Sequence, residues 1–519
     1  MSWIRMMVVV GVMAYAGGAF AQTAAKPSAS AFSHPASSPA GGDWPNYRGK
    51  NCDLSAPDTG LLRAWPKDGP KVLWRAKIGR GWNQPIVAGD EVFVWGNDPH
   101  HNAGPVTRKD GPDDGKGWGT PNKDFLQSLD AKTGQEKWRY SYETKSYKYH
   151  DSSFNTCGPH STPAVSGDKV FVMDCDGMFT CVDRRKGTKV WSRDLWTEYV
   201  DEFGIKRNMD GLRGWNQSPL VSGKVVIENI PNGNYTSSKV EGLDGAKCIG
   251  MDVETGKTVW DFKEPAVPKG RVHGGDAVLA KFAGQECVVL PAKGMMRALR
   301  CADGKELWHF EHKRDSHYIG LLPIGNAFLQ QALGGTYLVS IDDRNGDSPA
   351  TEVWFSRDMA IESAQVSGLV HAGGYIYGFI QKDTALNDPT QPGCKFFGAS
   401  DLKCFDAKTG KLVWSHRCDG FQIPACLITA DGLLFVRGFN TLLLVEATPK
   451  GYVEKGRAYP LQTFTNDPPK DIADNARDNG FVPPTLSRGR LYVRGPTELI
   501  CFDVADKLDV PKPASLPAR

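Results

Sequence analysis

Two stretches of the 519-residue chain nearly copy one another and carry side chains able to hold a ligand. They read Arg80-Gly81-Trp82-Asn83-Gln84-Pro85 and Arg213-Gly214-Trp215-Asn216-Gln217-Ser218-Pro219. An indole offers a flat apolar face, and each carboxamide both donates and accepts hydrogen bonds. Such chemistry suits a carbohydrate or a peptide. Comparable places farther along hold His160, His273, His317, Glu362, Gln365 and Gln422. The candidate binding residues are therefore Trp82, Asn83, Gln84, His160, Trp215, Asn216, Gln217, His273, His317, Glu362, Gln365 and Gln422. The competing reading makes both indoles wedges between neighbouring sheets and the polar groups caps of strand ends.

Other groupings carry less chemistry. His100-His101 lies in a Gly/Pro/Asp-rich insertion, and His309 with His312 has no third ligand in view. Asp343, Asn345 and Asp347 imitate the start of a calcium loop, but the glycine is misplaced and Trp354 stands where Glu is required. A long hairpin turn is the better reading there. No G-x-S-x-G nucleophile elbow occurs. No catalytic residue and no metal ligand is assigned from the sequence.

The elements that would position these residues repeat along the chain. LDAKTGQEKW ends at Trp138, VDRRKGTKVW at Trp191, MDVETGKTVW at Trp260, ALRCADGKELW at Trp308 and FDAKTGKLVW at Trp414, with a longer-turned copy ending at Trp354. Each reads as a strand, an Asp-x-x-x-Gly turn and a strand carrying the tryptophan. A second hairpin precedes most copies, as in TPAVSGDKVFVMD from Thr162 and PPTLSRGRLYVRG from Pro483. Two hairpins make a four-stranded antiparallel sheet, the blade of a propeller. Inner hairpins starting near Pro85, Thr162, Ser218, Gly275, Leu322, Gly368, Pro424 and Pro483 predict an all-β, eight-bladed β-propeller over residues 43–504. The eighth blade has three strands of its own, and the strand around Trp74 is expected to complete it. The seventh lacks the tryptophan, and Tyr452 or Val453 is expected in its place.

Composition narrows the function classes. Charged residues are 23% with a formal net charge of +3, so there is no basic field for a nucleic acid. Arg5, the apolar run from Met6 and the Ala19-Phe20-Ala21 site read as a signal peptide over residues 1–21. An Ala/Ser/Pro linker follows at 22–42, and residues 505–519 form a tail. The expectation is a periplasmic or secreted monomer without a transmembrane segment. Of the 12 cysteines, Cys181, Cys404 and Cys501 share one repeat position with Ser128, Gly250, Ala298 and Ser340, so they read as small packing residues.

The repeat, of the form AxDxxTGKxxW, is similar to that of the pyrroloquinoline quinone (PQQ) enzyme family of propellers. The opening DWPNYRGKNCDLSAPDTGLLRAWPKDGPKVLW (43–74) and the phrase VEATPKGYVEKGRAY resemble the PQQ-binding-like β-propeller repeat proteins of planctomycetes and verrucomicrobia. This resemblance implies the fold over nearly the whole chain. It leaves activity open between an assembly-factor propeller and quinoprotein alcohol dehydrogenases. A PQQ- and calcium-dependent alcohol or sugar dehydrogenase needs an aromatic platform, oxygen ligands for Ca²⁺ and a carboxylate base. Many such enzymes also carry adjacent cysteines and a C-x-x-C-H haem segment. Here no two cysteines are adjacent, and Cys157-Gly158-Pro159-His160 lacks the second cysteine. The expected function is a binding or assembly scaffold for a protein, peptide or carbohydrate ligand, with no cofactor assigned. PQQ and calcium belong to the alternative.

Overall fold

The computed structural model describes residues 42–97, 123–143, 159–174, 177–199, 217–230, 247–263, 277–292, 295–311, 320–332, 335–344, 349–359, 368–380, 399–422, 426–438, 441–460, 482–495 and 497–506. Their strands form eight four-stranded antiparallel sheets. Seven are consecutive in the chain, from Ile86–Ala88, Glu91–Asn97, Lys123–Asp130 and Glu136–Glu143 of blade 1 to Cys426–Ala430, Leu433–Arg437, Leu442–Glu446 and Glu454–Ala458 of blade 7. The eighth sheet joins Thr485–Ser487, Arg490–Arg494 and Glu498–Asp503 to the early strand Lys71–Lys77, as the sequence predicts. Lys71 there lies opposite Asp503. Inner strands of consecutive blades lie against one another from blade 8 through blade 1 to blade 7.

The repeat motif explains how blades adhere. In the turn after Asp130, the carboxylate accepts the Thr133 N–H at 2.8 Å and the Lys132 N–H at 3.0 Å. The Thr133 hydroxyl adds a third bond, and these contacts hold the carboxyl below its ordinary pKa. Gly134 closes the turn at φ +74°, where a side chain is disfavoured. A Cβ on Gly134 would lie 2.6 Å from the Trp74 ring of the preceding blade. The same seat recurs for Trp138 on Gly187, Trp191 on Gly256, Trp260 on Gly304 and Trp354 on Gly410. Each indole also donates to a carbonyl of the turn it covers, for example Trp138 to Arg184 at 2.8 Å and Trp260 to Cys301 at 2.9 Å. A register shift falls beside the tryptophan position in every outer strand. Such bulges re-aim a side chain, and here they leave Val190, Val259, Val353 and Val413 exposed while the adjoining indole turns onto the next blade.

Cys181, Cys404 and Cys501 are fully buried opposite Trp191, Trp414 and Trp74. Burial pushes their thiols up, to about 12, about 11 and about 12, so they behave as small apolar groups. Blade 5 departs from the expected alignment. Leu338, not Ser340, lies opposite Trp354, because its longer turn displaces the pairing by two residues.

Blade 7 gives a second correction. Neither Tyr452 nor Val453 fills its tryptophan seat. Gly456 occupies the outer-strand position, opposite Leu444, and Trp65 enters the space from the segment before the first blade. A Cβ on Gly456 would sit 2.5 Å from the Trp65 Cβ. The Trp65 N–H donates to Lys455 at 2.9 Å, and its ring meets Phe435 at 6.3 Å. Tyr452 instead stacks on His416 at 3.8 Å. Truncating a buried aromatic costs about 3–5 kcal/mol. Trp65→Ala should therefore lower unfolding stability by that amount in urea titrations, with Trp65→Phe losing less.

Candidate functional site

Antiparallel order places the start of each inner strand and the end of each second strand on one face of the ring, called the funnel face below. At blade 1 the Arg-Gly-Trp-Asn-Gln stretch is fastened through its backbone and its two carboxamides. Asn83 is fully buried; its Nδ2 donates to Trp95 and Pro159 carbonyls at 2.8 Å each, and its Oδ1 accepts Arg494 Nη1 at 3.0 Å. Arg494 also donates to Gly81 O at 2.9 Å and Gly79 O at 2.7 Å. A Cβ on Gly81 would meet Arg494 Nη2 at 2.8 Å, so glycine permits this close approach. The Trp82 backbone N–H donates to Pro159 O at 3.0 Å, and its ring stacks on His160 at 4.7 Å and 10°. Both rings are half-buried.

Gln84 links blades. Its backbone N–H donates to Thr162 Oγ1 at 3.0 Å, and the Thr162 N–H donates to Ser218 Oγ at 3.0 Å. Gln84 Nε2 reaches Pro484 O at 2.9 Å, while Thr485 Oγ1 donates to Pro85 O at 2.6 Å. Blades 8, 1, 2 and 3 are thereby tied at their inner edges. Asn83 and Gln84 thus use their amides on the backbone, and Gln217 is likewise buried.

A segment that sequence reasoning treated only as a family signature crosses the axis. Trp44 pairs with Val87 of blade 1, Leu54 and Ala56 bond Thr429 of blade 7, and Leu61 bridges to Ala505. Between them, Arg48 donates its N–H to Gln84 Oε1 at 2.9 Å and its Nη1 to Leu321 O of blade 5. Blades 1 and 5 are opposite in a ring of eight, so Arg48 stands at the centre. Arg48, Cys52 and Leu54 have φ of 65°, 55° and 61°, unusual for residues with side chains. The local signal was weak because no periodic pattern marks this stretch.

The register also defines a ring of equivalent positions at the funnel-face ends of the second strands, two residues past the one aligned with the outer-strand tryptophan. Around the blades these are Trp95, Met173, Asn229, Pro291, Gln331, Phe379, Arg437 and Arg494. Burial pulls the Arg437 and Arg494 guanidinium groups down, to about 10 and about 9, so both remain cations at neutral pH. Buried carboxylates include Asp124 in blade 1, Asp174 just beyond a blade 2 strand and Glu228 in blade 3. Asp174 accepts the Tyr142 hydroxyl at 2.6 Å and the Met178 N–H at 2.8 Å.

Trp215, Asn216, His273, His317, Glu362 and Gln365 lie outside the described residues, as do His100, His101, His312, Asn345 and Asp347. Gln422 ends the outer strand Leu412–Gln422, and its side chain is also outside them. His309 is on an outer strand, 2.7 Å from Glu306. Among the described residues no three His, Cys, Asp or Glu side chains converge to hold a metal ion. No helix among them is long and apolar enough to cross a membrane.

Fold and repeat together define a PQQ-like β-propeller. The chain belongs to the family described as outer membrane protein assembly factor BamB, whose model matches residues 50–197 and 122–318. It is 29% identical over 145 residues to the quinohemoprotein alcohol dehydrogenase ADH IIB of Pseudomonas putida. That match takes in 27% of this chain and 18% of the relative's length. Among solved structures, the quinohemoprotein alcohol dehydrogenase ADHIIG of Pseudomonas putida HK5 aligns with TM-score 0.56 at 14% identity, covering 92% of this chain and 82% of that one. The Comamonas testosteroni quinohemoprotein alcohol dehydrogenase aligns with TM-score 0.55 at 15% identity, with the same coverage of each chain. At these identities the structural matches speak to fold alone.

Asn83→Ala would strand two buried carbonyls and one Arg494 donor. Each buried group left unsatisfied costs about 1–3 kcal/mol. The substitution should lower the unfolding midpoint and raise amide exchange around Gly79–Gln84, measured by hydrogen–deuterium exchange.

Proposed function

We propose that this protein is an exported, periplasmic or secreted, binding or assembly scaffold whose funnel face takes a peptide, protein or carbohydrate ligand. The observation that carries the reading is the stacked Trp82–His160 pair, half-buried at the inner edge and braced from below by Asn83 and Arg494. A pre-organised aromatic platform binds without an ordering cost. Arg48 on the axis places a polar floor beneath it. The assembly-factor family to which the chain belongs supports the same direction. Trp82 and His160 act as the contact surface in this reading, with Asn83, Gln84 and Gln217 as positioning residues. Trp215, Asn216, His273, His317, Glu362, Gln365 and Gln422 extend the surface around the mouth.

The second reading is a PQQ- and calcium-dependent alcohol or sugar dehydrogenase, favoured by the 145-residue match to a quinohemoprotein alcohol dehydrogenase. The described carboxylates do not fit calcium as a set, since Asp124, Asp174 and Glu228 are not gathered at one point. Reconstitution with PQQ and Ca²⁺, followed by absorbance spectra and a dye-coupled assay over alcohols and aldoses, separates the readings. Stoichiometric quinone absorbance with turnover would overturn the scaffold. Its support is saturable binding in calorimetry against peptide and glycan panels, lost in Trp82→Ala with circular dichroism unchanged.

A further inference from the structure

Arg437 is 1% exposed and sits at the end of the second strand of blade 7, facing blade 8. Its Nη1 donates to Val482 O at 2.8 Å, but Nε and Nη2 are buried without any partner. Those two nitrogens share one edge of the guanidinium, the edge that presents two parallel N–H groups to a carboxylate or phosphate. Its ladder neighbours are Cys426 and Leu442. The Cys426 thiol is pushed up to about 12 by burial and stays neutral. Arg494, at the equivalent position of blade 8, gives its donors to Gly81 O, Asn83 Oδ1 and Gly79 O, all uncharged. Arg494 thus faces the entry to blade 1, whereas Arg437 faces the entry to blade 8 at Val482. A buried guanidinium with an open bidentate edge is strongly unfavourable unless an anion meets that edge.

We propose that the Nε and Nη2 edge of Arg437, at the boundary of blades 7 and 8, is an oxyanion-binding site that receives a carboxylate or phosphate group. The site lies at the boundary of blades 7 and 8, apart from the Trp82–His160 pair of blades 1 and 2, and does not rest on the ligand reading of that pair.

The full chain is titrated with inorganic phosphate and, separately, with malonate, at ionic strength held constant with sodium chloride. Calorimetry and thermal unfolding are the readouts. One saturable site per chain is expected for at least one of the two, and their relative affinity tells a phosphate from a carboxylate preference. Arg437→Met should abolish the response and raise the anion-free unfolding midpoint, since it removes an unpaired buried charge. Arg437→Lys keeps the charge without the fork and should weaken binding by at least about tenfold. Trp82→Ala should leave the response unchanged, so failure at the funnel mouth and failure here are told apart. Absence of saturable binding to both anions would overturn the proposal, as would a response that persists undiminished in Arg437→Met and Arg437→Lys.

Discussion

Everything in this molecule depends on an indole lying on a turn that has no side chain. A blade buries only its two faces, so stability must come from contacts between blades. The seat is specific: the turn glycine adopts positive φ, its missing Cβ makes room for the ring, and a turn carbonyl accepts the indole N–H. The contact is head-to-tail, and such contacts close only if the rotation between units divides the circle. Eight blades do so here, with the ends of the chain sharing one sheet. The bulge beside each tryptophan belongs to the same device, since it turns the ring sideways out of its own sheet.

The tryptophan and glycine spacing made the architecture legible, because each copy repeats the same local turn chemistry. Inner strands begin within three residues of the positions read from sequence. Trp65 escaped notice because it fills a repeat position from outside the repeat, where spacing carries no information. Leu338 was misaligned because a longer turn shifts pairing without changing the look of the motif. The funnel-face candidates were legible as a group of polar and aromatic residues. Their division of labour was not, since only coordinates reveal that Asn83 and Gln84 give their amides to the backbone. Arg437 and Arg494 were invisible for a further reason: their equivalents are Trp95, Met173, Asn229, Pro291, Gln331 and Phe379, a position with no shared chemistry.

That variable position is where individuality enters a symmetric frame. Packing demands the tryptophan and glycine in nearly every blade but leaves the strand ends on the funnel face free to differ. Asp124 and Glu228 are buried in blades 1 and 3, Arg297 in blade 4, and Arg437 and Arg494 in blades 7 and 8, with Arg48 on the axis. A fold shared by an assembly factor and by alcohol dehydrogenases can acquire either role through such positions without disturbing the contacts that hold blades together.

The pairing of Lys71 with Asp503 has a consequence for biogenesis. Among the described strands the earliest in the chain pairs with the latest, so it finds its partner only after Glu498–Asp503 has been synthesised. Until then its backbone donors and acceptors, and the exposed Val72 and Leu73, form an unpaired edge open to other chains. Contacts of such sequence separation also form slowly. Nascent chains of this protein thus pass through an open-ring stage, and any holding factor that acts on them has the amino-terminal strand as its natural client.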